Sequence, residues 1–278
     1  MIVIIGGGTM GGGIAVSFAL AGEPVRIIEQ SVELAGASEE RVRGSLERAA
    51  GKRGRADEAE SLQRLLTVDT VHPDPAEVNL VIEALPEDIG LKKQVLGGID
   101  EHYSTNDGVI ICSNTSSLPI TELASAVAKP ERFCGMHFFN PVPASNLVEV
   151  VVGEQASEST VERAVSYGER LGLTPIVVSD SPGFASSRLG VALGIEAIRM
   201  IEAGVASAED IDAAMTLGYK HPIGPLKLTD LVGVDVRLAI AEHLATELGP
   251  RFEPPQLMVD MVAVGKLGKK SGEGFYVW

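Results

Sequence analysis

The sequence predicts an α/β fold in which a doubly wound, Rossmann-type sheet precedes a smaller all-helical domain. Short β-rich apolar runs alternate with helical stretches over the first part of the chain, a pattern typical of a parallel sheet covered by helices. After Pro182 the strand patterns stop and helical patterns follow, within residues 185–203, 207–217, 234–248 and 254–264. We therefore predict a sheet domain over residues 1–183 and a helical domain over residues 184–278.

The first elements form one βαβ unit. The apolar run over residues 2–5 is long enough for a buried strand, and a glycine turn and an apolar helix to about Leu20 follow it. A second strand covers residues 25–28, and residues 31–66 predict one or two polar helices. Further strands are predicted within residues 79–85, 108–117, 132–139, 147–153 and 174–180.

Composition excludes several classes of function. The net charge of −15 repels phosphate backbones, so we expect no nucleic-acid partner. No apolar run reaches the roughly 18–20 residues that span a bilayer, and a strand candidate at Ile2 leaves no room for a signal peptide. Cys112 and Cys134 are the only cysteines and have neither metal-site spacing nor a disulfide framework. We expect a cytoplasmic protein without a metal site.

The glycine-rich turn after the first strand predicts a dinucleotide site. The segment GGGTMG satisfies G-x-G-x-x-G, follows a strand and opens a helix. Gly6 permits the tight turn, Gly8 lets the backbone approach a pyrophosphate, and Gly11 allows close packing of helix against strand. We predict that Thr9 and Met10 also bind the cofactor, because the N-terminus of the helix supplies free N–H groups and a partial positive charge that favour phosphate.

Glu29 indicates which dinucleotide binds. It ends the second strand, eighteen residues after Gly11, where a carboxylate accepts hydrogen bonds from the adenosine ribose, and Gln30 follows it. A carboxylate there repels a 2′-phosphate, so NAD is favoured over NADP. The alternative is a turn that serves packing only. FAD uses the same motif, but nothing later in the chain indicates flavin contacts.

Polar residues follow strand candidates at the edge where open α/β sheets bind ligands. His137 lies at the end of a strand candidate, an Asn-Pro turn follows, and Glu149 returns on the next strand. A histidine paired with a carboxylate suits a general base, because the carboxylate fixes the tautomer and stabilises the imidazolium. A purely structural histidine is the alternative.

Several motifs resemble the short-chain L-3-hydroxyacyl-CoA dehydrogenase family, of the 3-hydroxybutyryl-CoA dehydrogenase type. They run in family order and cover almost the whole chain. The matching segments are GGGTMGGGIA, VIEALPEDIGLKKQV, SNTSSLPITELA, GMHFFNPVPASNLVEVV, DSPGFASSRL, EDIDAAMTLGYKHPIGPLKLTDLVGVD and GKKSGEGFYVW.

The resemblance implies a set of catalytic roles. His137 would take the proton from the 3-hydroxyl group, with Glu149 as its partner, while hydride passes from C3 to the nicotinamide of NAD. Ser116 and Asn140 would hydrogen-bond the substrate oxygen. Many members carry an asparagine where this chain has Ser187. The serine replaces that contact, reflects a different substrate, or only caps a helix.

The resemblance also implies ligand contacts. The positions that match NAD contacts are Ala84, Glu87, Lys92, Asn114 and Lys270, and those that match CoA contacts are Ser45 and Lys52. Lys52 belongs to a basic cluster, which can hold CoA phosphates or form a solvated helix face. The cluster consists of Arg41, Arg43, Arg48, Lys52, Arg53 and Arg55.

Three functions are consistent with these residues. The first is NAD-dependent oxidation of a short-chain L-3-hydroxyacyl-CoA, or the reverse reduction. The second keeps the fold and the histidine–glutamate pair but uses a non-CoA hydroxy acid, such as gulonate or a carnitine-like compound. The third is an NAD-binding regulator with weak catalysis. The helical domain is expected to form a homodimer, as is usual for the family, although its apolar segment RLGVALGIEAIRMI also suits an internal core.

Overall fold

The computed structural model describes residues 1–278 and divides into two compact units, Met1–Asp180 and Ser181–Trp278. This division falls three residues before the end of the predicted sheet domain. The first unit contains every strand of the sheet, and the second is helical apart from isolated bridges near its C-terminus. None of the helices combines the length and apolar character that a bilayer-spanning segment needs. The α/β fold with a helical C-terminal domain is therefore confirmed.

One eight-stranded sheet forms the centre of the first unit. In chain order the strands are β1 (Ile2–Ile5), β2 (Val25–Ile28), β3 (Leu66–Asp69), β4 (Leu80–Glu83), β5 (Ile110–Ser113), β6 (Phe133–Phe138), β7 (Leu147–Val152) and β8 (Thr174–Ser179). Their spatial order is β3-β2-β1-β4-β5-β6-β7-β8. All neighbours run parallel except β6 and β7. The order reverses between β1 and β4, which is where such sheets bind ligands.

Six helices surround this sheet. They are α1 (Thr9–Leu20), α2 (Val32–Lys52), α3 (Ala59–Gln63), α4 (Ile89–His102), α5 (Ile120–Ala124) and α6 (Glu158–Arg170). The core lies between the sheet and α1, α2 and α6, with Ile4, Phe18 and Ile27 fully buried. The sequence prediction missed β3, because only Leu66 of its four residues is buried and the strand lacks an apolar run.

The second unit contains five helices. They are α7 (Ser186–Glu202), α8 (Ala208–Ala213), α9 (Pro225–Val232), α10 (Val234–Leu248) and α11 (Gln256–Ala263). The prediction missed α9. Its eight residues lie between Gly224 and Gly233, and glycine and proline at its start are typical of a break between helices. Ala185 occupies the cap position of α7 and no side chain caps it, so the interpretation of Ser187 as a helix cap is wrong.

The C-terminal segment is fixed to α9 by one buried carboxylate. Asp230, which is 1% exposed, accepts hydrogen bonds from the backbone N–H groups of Phe275 and Tyr276 and from the Trp278 indole, each at 2.9 Å. Three donors compensate for burying the charge. The last residues therefore pack as part of the helical unit.

Candidate active site

A buried histidine–glutamate pair joins β6 to β7. The antiparallel register places His137 directly opposite Glu149, and the imidazole Nδ1 lies 2.7 Å from the Glu149 carboxylate. Glu149 is 0% exposed and His137 7% exposed. The ring of Phe139 packs against the imidazole, with 4.5 Å between the ring centroids. The sequence prediction that the two side chains meet is confirmed as geometry.

This hydrogen bond determines what the imidazole can do. When Nδ1–H donates to the carboxylate, the lone pair of the neutral ring lies on Nε2. The buried carboxylate also stabilises the charged ring once Nε2 has accepted a proton. In that tautomer Nε2 is the acceptor atom of the ring.

Asn114 links the ends of two neighbouring strands beside His137. Its side-chain oxygen accepts a hydrogen bond from the backbone N–H of Phe138 at 3.0 Å. The backbone N–H of Asn114 donates to the backbone carbonyl of Glu83. The end of β5 is thereby fixed to the end of β6. A contact between Asn114 and NAD stays a prediction.

Glu87 organises the loop that carries Ser116. One carboxylate oxygen accepts hydrogen bonds from the Thr115 hydroxyl at 2.5 Å and from the backbone N–H groups of Ser116 and Ser117 at 2.9 and 3.0 Å. Burial raises the pKa of Glu87, but the Thr115 hydroxyl, Lys92 and the two N–H groups together hold it below its usual value. The carboxylate is therefore charged at neutral pH.

Lys92 holds the residues around Glu87 in place through a buried ammonium group. Its side chain is 1% exposed, and its ammonium group donates to the Glu83 carboxylate at 2.7 Å and to the Leu85 carbonyl at 3.0 Å. The same ammonium lies 3.5 Å from Glu87. Lys92 thus holds protein groups in place. A direct contact between this residue and NAD stays a prediction.

The glycine loop borders a cavity of 710 Å³ at the switch point of the sheet. Gly6 adopts a φ of +89°, and a Cβ on Gly11 would lie 1.9 Å from the Gly6 carbonyl oxygen, so both positions require glycine. Glu29 accepts a hydrogen bond from the Gly7 N–H at 2.8 Å. The predicted residues in the lining are Gly6, Gly8, Glu29, Gln30 and Ala84.

Two predicted residues of the loop lie elsewhere. Thr9 is exposed at the start of α1 and lines a second cavity, described below. Met10 is half-buried and packs on the core. The 710 Å³ cavity is also lined by residues that sequence reasoning missed, since they come from loops and helices without a motif. They include Leu34, Arg41, Thr70, His72 and Gln94.

A second cavity of 380 Å³ lies between α2 and the loop after β6. Both predicted CoA residues, Ser45 and Lys52, line it, together with Asn140. With Arg41 and Arg48 they form one face of α2, because their spacing follows the helical repeat. That spacing was the signal in the sequence that could have identified Arg41 as a lining residue.

The basic cluster divides into two groups. Arg41, Arg48, Lys52 and Arg53 line the 380 Å³ cavity, and no carboxylate lies within 4.0 Å of any of these cations. The other two members, Arg43 and Arg55, form ion pairs with Glu39 and Glu58, each at 2.7 Å, and lie outside that lining. The prediction of a single patch is therefore wrong for these two arginines, which neutralise neighbouring glutamates.

The two remaining predicted residues belong to the second unit. Ser187 lies in the first turn of α7. The Lys270 ammonium lies 2.6 Å from the Asp235 carboxylate, and hydrogen bonding to Lys270 contributes to holding the pKa of Asp235 below its usual value despite burial. Their proposed contacts with substrate and NAD stay predictions.

Comparison with known proteins identifies the family. Residues 1–181 match the 3-hydroxyacyl-CoA dehydrogenase, NAD binding domain, and residues 183–278 match the 3-hydroxyacyl-CoA dehydrogenase, C-terminal domain. The chain belongs to the 3-hydroxyacyl-CoA dehydrogenase family. It is therefore an oxidoreductase that uses NAD, and the family prediction made from the motifs is confirmed.

Several members of this family are similar to the chain over nearly its full length. The 3-hydroxybutyryl-CoA dehydrogenase of Mycobacterium tuberculosis is 42% identical over 279 residues, which cover 99% of this chain and 97% of that protein. The mitochondrial hydroxyacyl-coenzyme A dehydrogenase of Sus scrofa is 39% identical over a match that covers 99% of this chain and 90% of that protein. The crystal structure of (S)-3-hydroxybutyryl-CoA dehydrogenase from Ralstonia eutropha superposes with a TM-score of 0.92 at 40% identity, covering 100% of this chain and 98% of that one.

The Glu87 hydrogen bonds predict a pH-dependent contribution to stability. The lowered pKa means that the contribution is complete above the usual Glu value, about 4.3, and is lost as the pH falls through the lower folded-state pKa. We expect Glu87→Gln to reduce the free energy of unfolding at pH 7, and the difference from wild type to shrink in acid. Urea unfolding at several pH values measures this difference.

The matched control is Glu101→Gln, which removes an equal charge from an exposed position on α4 that forms no ion pair. This variant should unfold like the wild type at pH 7. A Glu87→Gln difference that does not change with pH would contradict the assignment.

Proposed function

We propose that this chain oxidises the 3-hydroxyl group of a short-chain L-3-hydroxyacyl-CoA to the ketone, or catalyses the reverse reduction. The observation that carries the proposal is the buried pair of His137 and Glu149 at the ligand-binding edge of an NAD-binding sheet. Relatives named as 3-hydroxybutyryl-CoA dehydrogenases support the short acyl chain.

The proposed mechanism begins with the proton. His137 accepts the proton of the 3-hydroxyl group at Nε2, and Glu149 stabilises the resulting imidazolium through Nδ1. Ser116 and Asn140 hydrogen-bond the substrate oxygen. Losing the proton makes the alcohol carbon a better hydride donor, because an electron pair on the oxygen forms the carbon–oxygen double bond as the hydride leaves. Bound NAD supplies the hydride acceptor.

The residues around the 710 Å³ cavity fit the dinucleotide. No atom lies within 4 Å of a Cβ built on Gly8, so the backbone there is open to a pyrophosphate. Glu29 lies in the same lining, where its carboxylate favours NAD over NADP. In this proposal Gln30, Ala84 and Asn114 lie along the cofactor, and Glu87 and Lys92 shape the loop around it.

The charges around the 380 Å³ cavity favour a CoA ester as the substrate, rather than a sugar acid or a carnitine-like hydroxy acid. Its four cations lack a carboxylate partner in a chain of net charge −15. The phosphate groups of CoA would supply several negative charges to this cavity, whereas a non-CoA hydroxy acid carries one carboxylate and no phosphate. We assign the CoA phosphates to Ser45 and Lys52, with Arg48 and Arg53 adding charge.

Ser187, the oligomeric state and the location complete the proposal. We assign to the Ser187 hydroxyl the hydrogen bond of the family asparagine, which the shorter serine side chain makes directly or through a water. The chain forms a homodimer through α7, whose Leu189 and Leu193 are 65% and 42% exposed. We assign Lys270 to the residues that bind NAD. We place the enzyme in the cytoplasm.

The substrate class is tested by NADH oxidation with matched ketones. We expect acetoacetyl-CoA to give a kcat/KM at least about tenfold above that of acetoacetyl-pantetheine, since the shorter thioester lacks the phosphates and each tenfold is about 1.4 kcal/mol. Gulonate and carnitine, tested in the oxidative direction, should show no turnover. Equal values for the two thioesters, or faster turnover of gulonate, would remove the CoA assignment.

The base assignment is tested by His137→Gln. We expect kcat to fall by about 10²–10⁴-fold, because the glutamine cannot accept the hydroxyl proton, while the NADH Kd stays within about twofold. Stopped-flow turnover and fluorescence titration with NADH measure the two quantities. A variant that retained full turnover would show that another group is the base.

A further inference from the structure

Arg41 lies where the two cavities meet. It lines both the 710 Å³ cavity beside Glu29 and the 380 Å³ cavity beside Ser45 and Lys52. One of its Nη atoms donates to the Gly7 carbonyl at 2.5 Å, which holds the guanidinium at the glycine loop. A single cation therefore borders both cavities.

The guanidinium has capacity left for a ligand. A guanidinium presents five N–H donors, and the bond to Gly7 is the only hydrogen bond that the Arg41 side chain makes within the chain. The residue is exposed and has no carboxylate within 4.0 Å. Arg43, two residues on, donates from both Nε and an Nη atom to Glu39. Arg43 therefore has a carboxylate partner on α2, whereas Arg41 on the same helix has none.

The proposed function places two anions next to each other, and the following inference rests on it. NAD carries a pyrophosphate, and CoA carries a pyrophosphate and a 3′-phosphate. Bound in neighbouring cavities, these groups repel each other unless a cation lies between them. A planar guanidinium suits this position because it can donate to two phosphate oxygens in different directions.

We propose that Arg41 couples the binding of the two ligands, because its guanidinium interacts with phosphates of both NAD and the acyl-CoA. Each ligand then binds more tightly when the other is present. Thermodynamic linkage requires that the factor is the same in both directions. Arg41 is thereby a positioning residue that favours the ternary complex over either binary complex.

The coupling is measured with ligands that do not react together. The NADH Kd of the purified protein is determined with and without saturating free CoA, and the CoA Kd with and without NADH. We expect the wild-type ratio to be roughly fivefold or more, and Arg41→Met to reduce it to about one. The ratio should also fall as salt is added, since the site is exposed.

Two further variants control the experiment. Arg43→Met removes the same charge from the same helix outside both cavities, so it should keep the wild-type ratio. Arg41→Lys retains the charge but lacks the planar fork of donors, so it should keep only part of the ratio.

Two results would overturn the inference. The first is a wild-type ratio of one. The second is a wild-type ratio retained in Arg41→Met, even if this variant binds NADH more weakly both with and without CoA, because the residue then only supports the glycine loop. Failure of NADH or CoA to bind the wild type would instead contradict the proposed function itself.

Discussion

The hydrogen bond between His137 and Glu149 is the interaction on which the candidate active site depends. A fully buried carboxylate is costly unless it is paired, and the imidazole supplies the pairing. The pairing requires the antiparallel register of β6 and β7, because a slip of one residue would turn Glu149 to the opposite face of the sheet. The reversal of strand direction at β7 therefore has a structural consequence: it places the pair of His137 and Glu149 at the end of the sheet.

Charge pairing elsewhere in the first unit separates structural groups from ligand-binding groups. Lys92 is buried against Glu83, and Arg43 and Arg55 are paired with surface glutamates. The cations that face the 380 Å³ cavity have no such partners. In a chain with fifteen more acidic than basic residues, these cations are the basis of our proposal that an anionic ligand binds there. The same reasoning separates Arg41, which borders both cavities, from its paired neighbour.

Local patterns predicted the parts of the site that lie within one motif. The glycine loop, Glu29, and the return from His137 to Glu149 each follow from spacing along adjacent elements. The strand β3 was missed because three of its four residues are not buried, and α9 because turn residues lie on both sides of it. The hydrogen bonds that Glu87 accepts from the Ser116 loop, and the place of Arg41 between two cavities, join elements far apart in the chain. Such contacts depend on tertiary packing, which periodicity does not encode.

The central claim is that Glu149 fixes the tautomer of His137 so that Nε2 can accept a proton. Nitrogen-15 NMR of the imidazole side chains measures this directly, and comparison with His137→Gln assigns the signals among the five histidines. At a pH where the ring is neutral, we expect a proton on Nδ1 and a lone pair on Nε2, with this preference weakened in Glu149→Gln. A wild-type ring protonated at Nε2, or one that averages both tautomers, would show that Glu149 does not fix the tautomer.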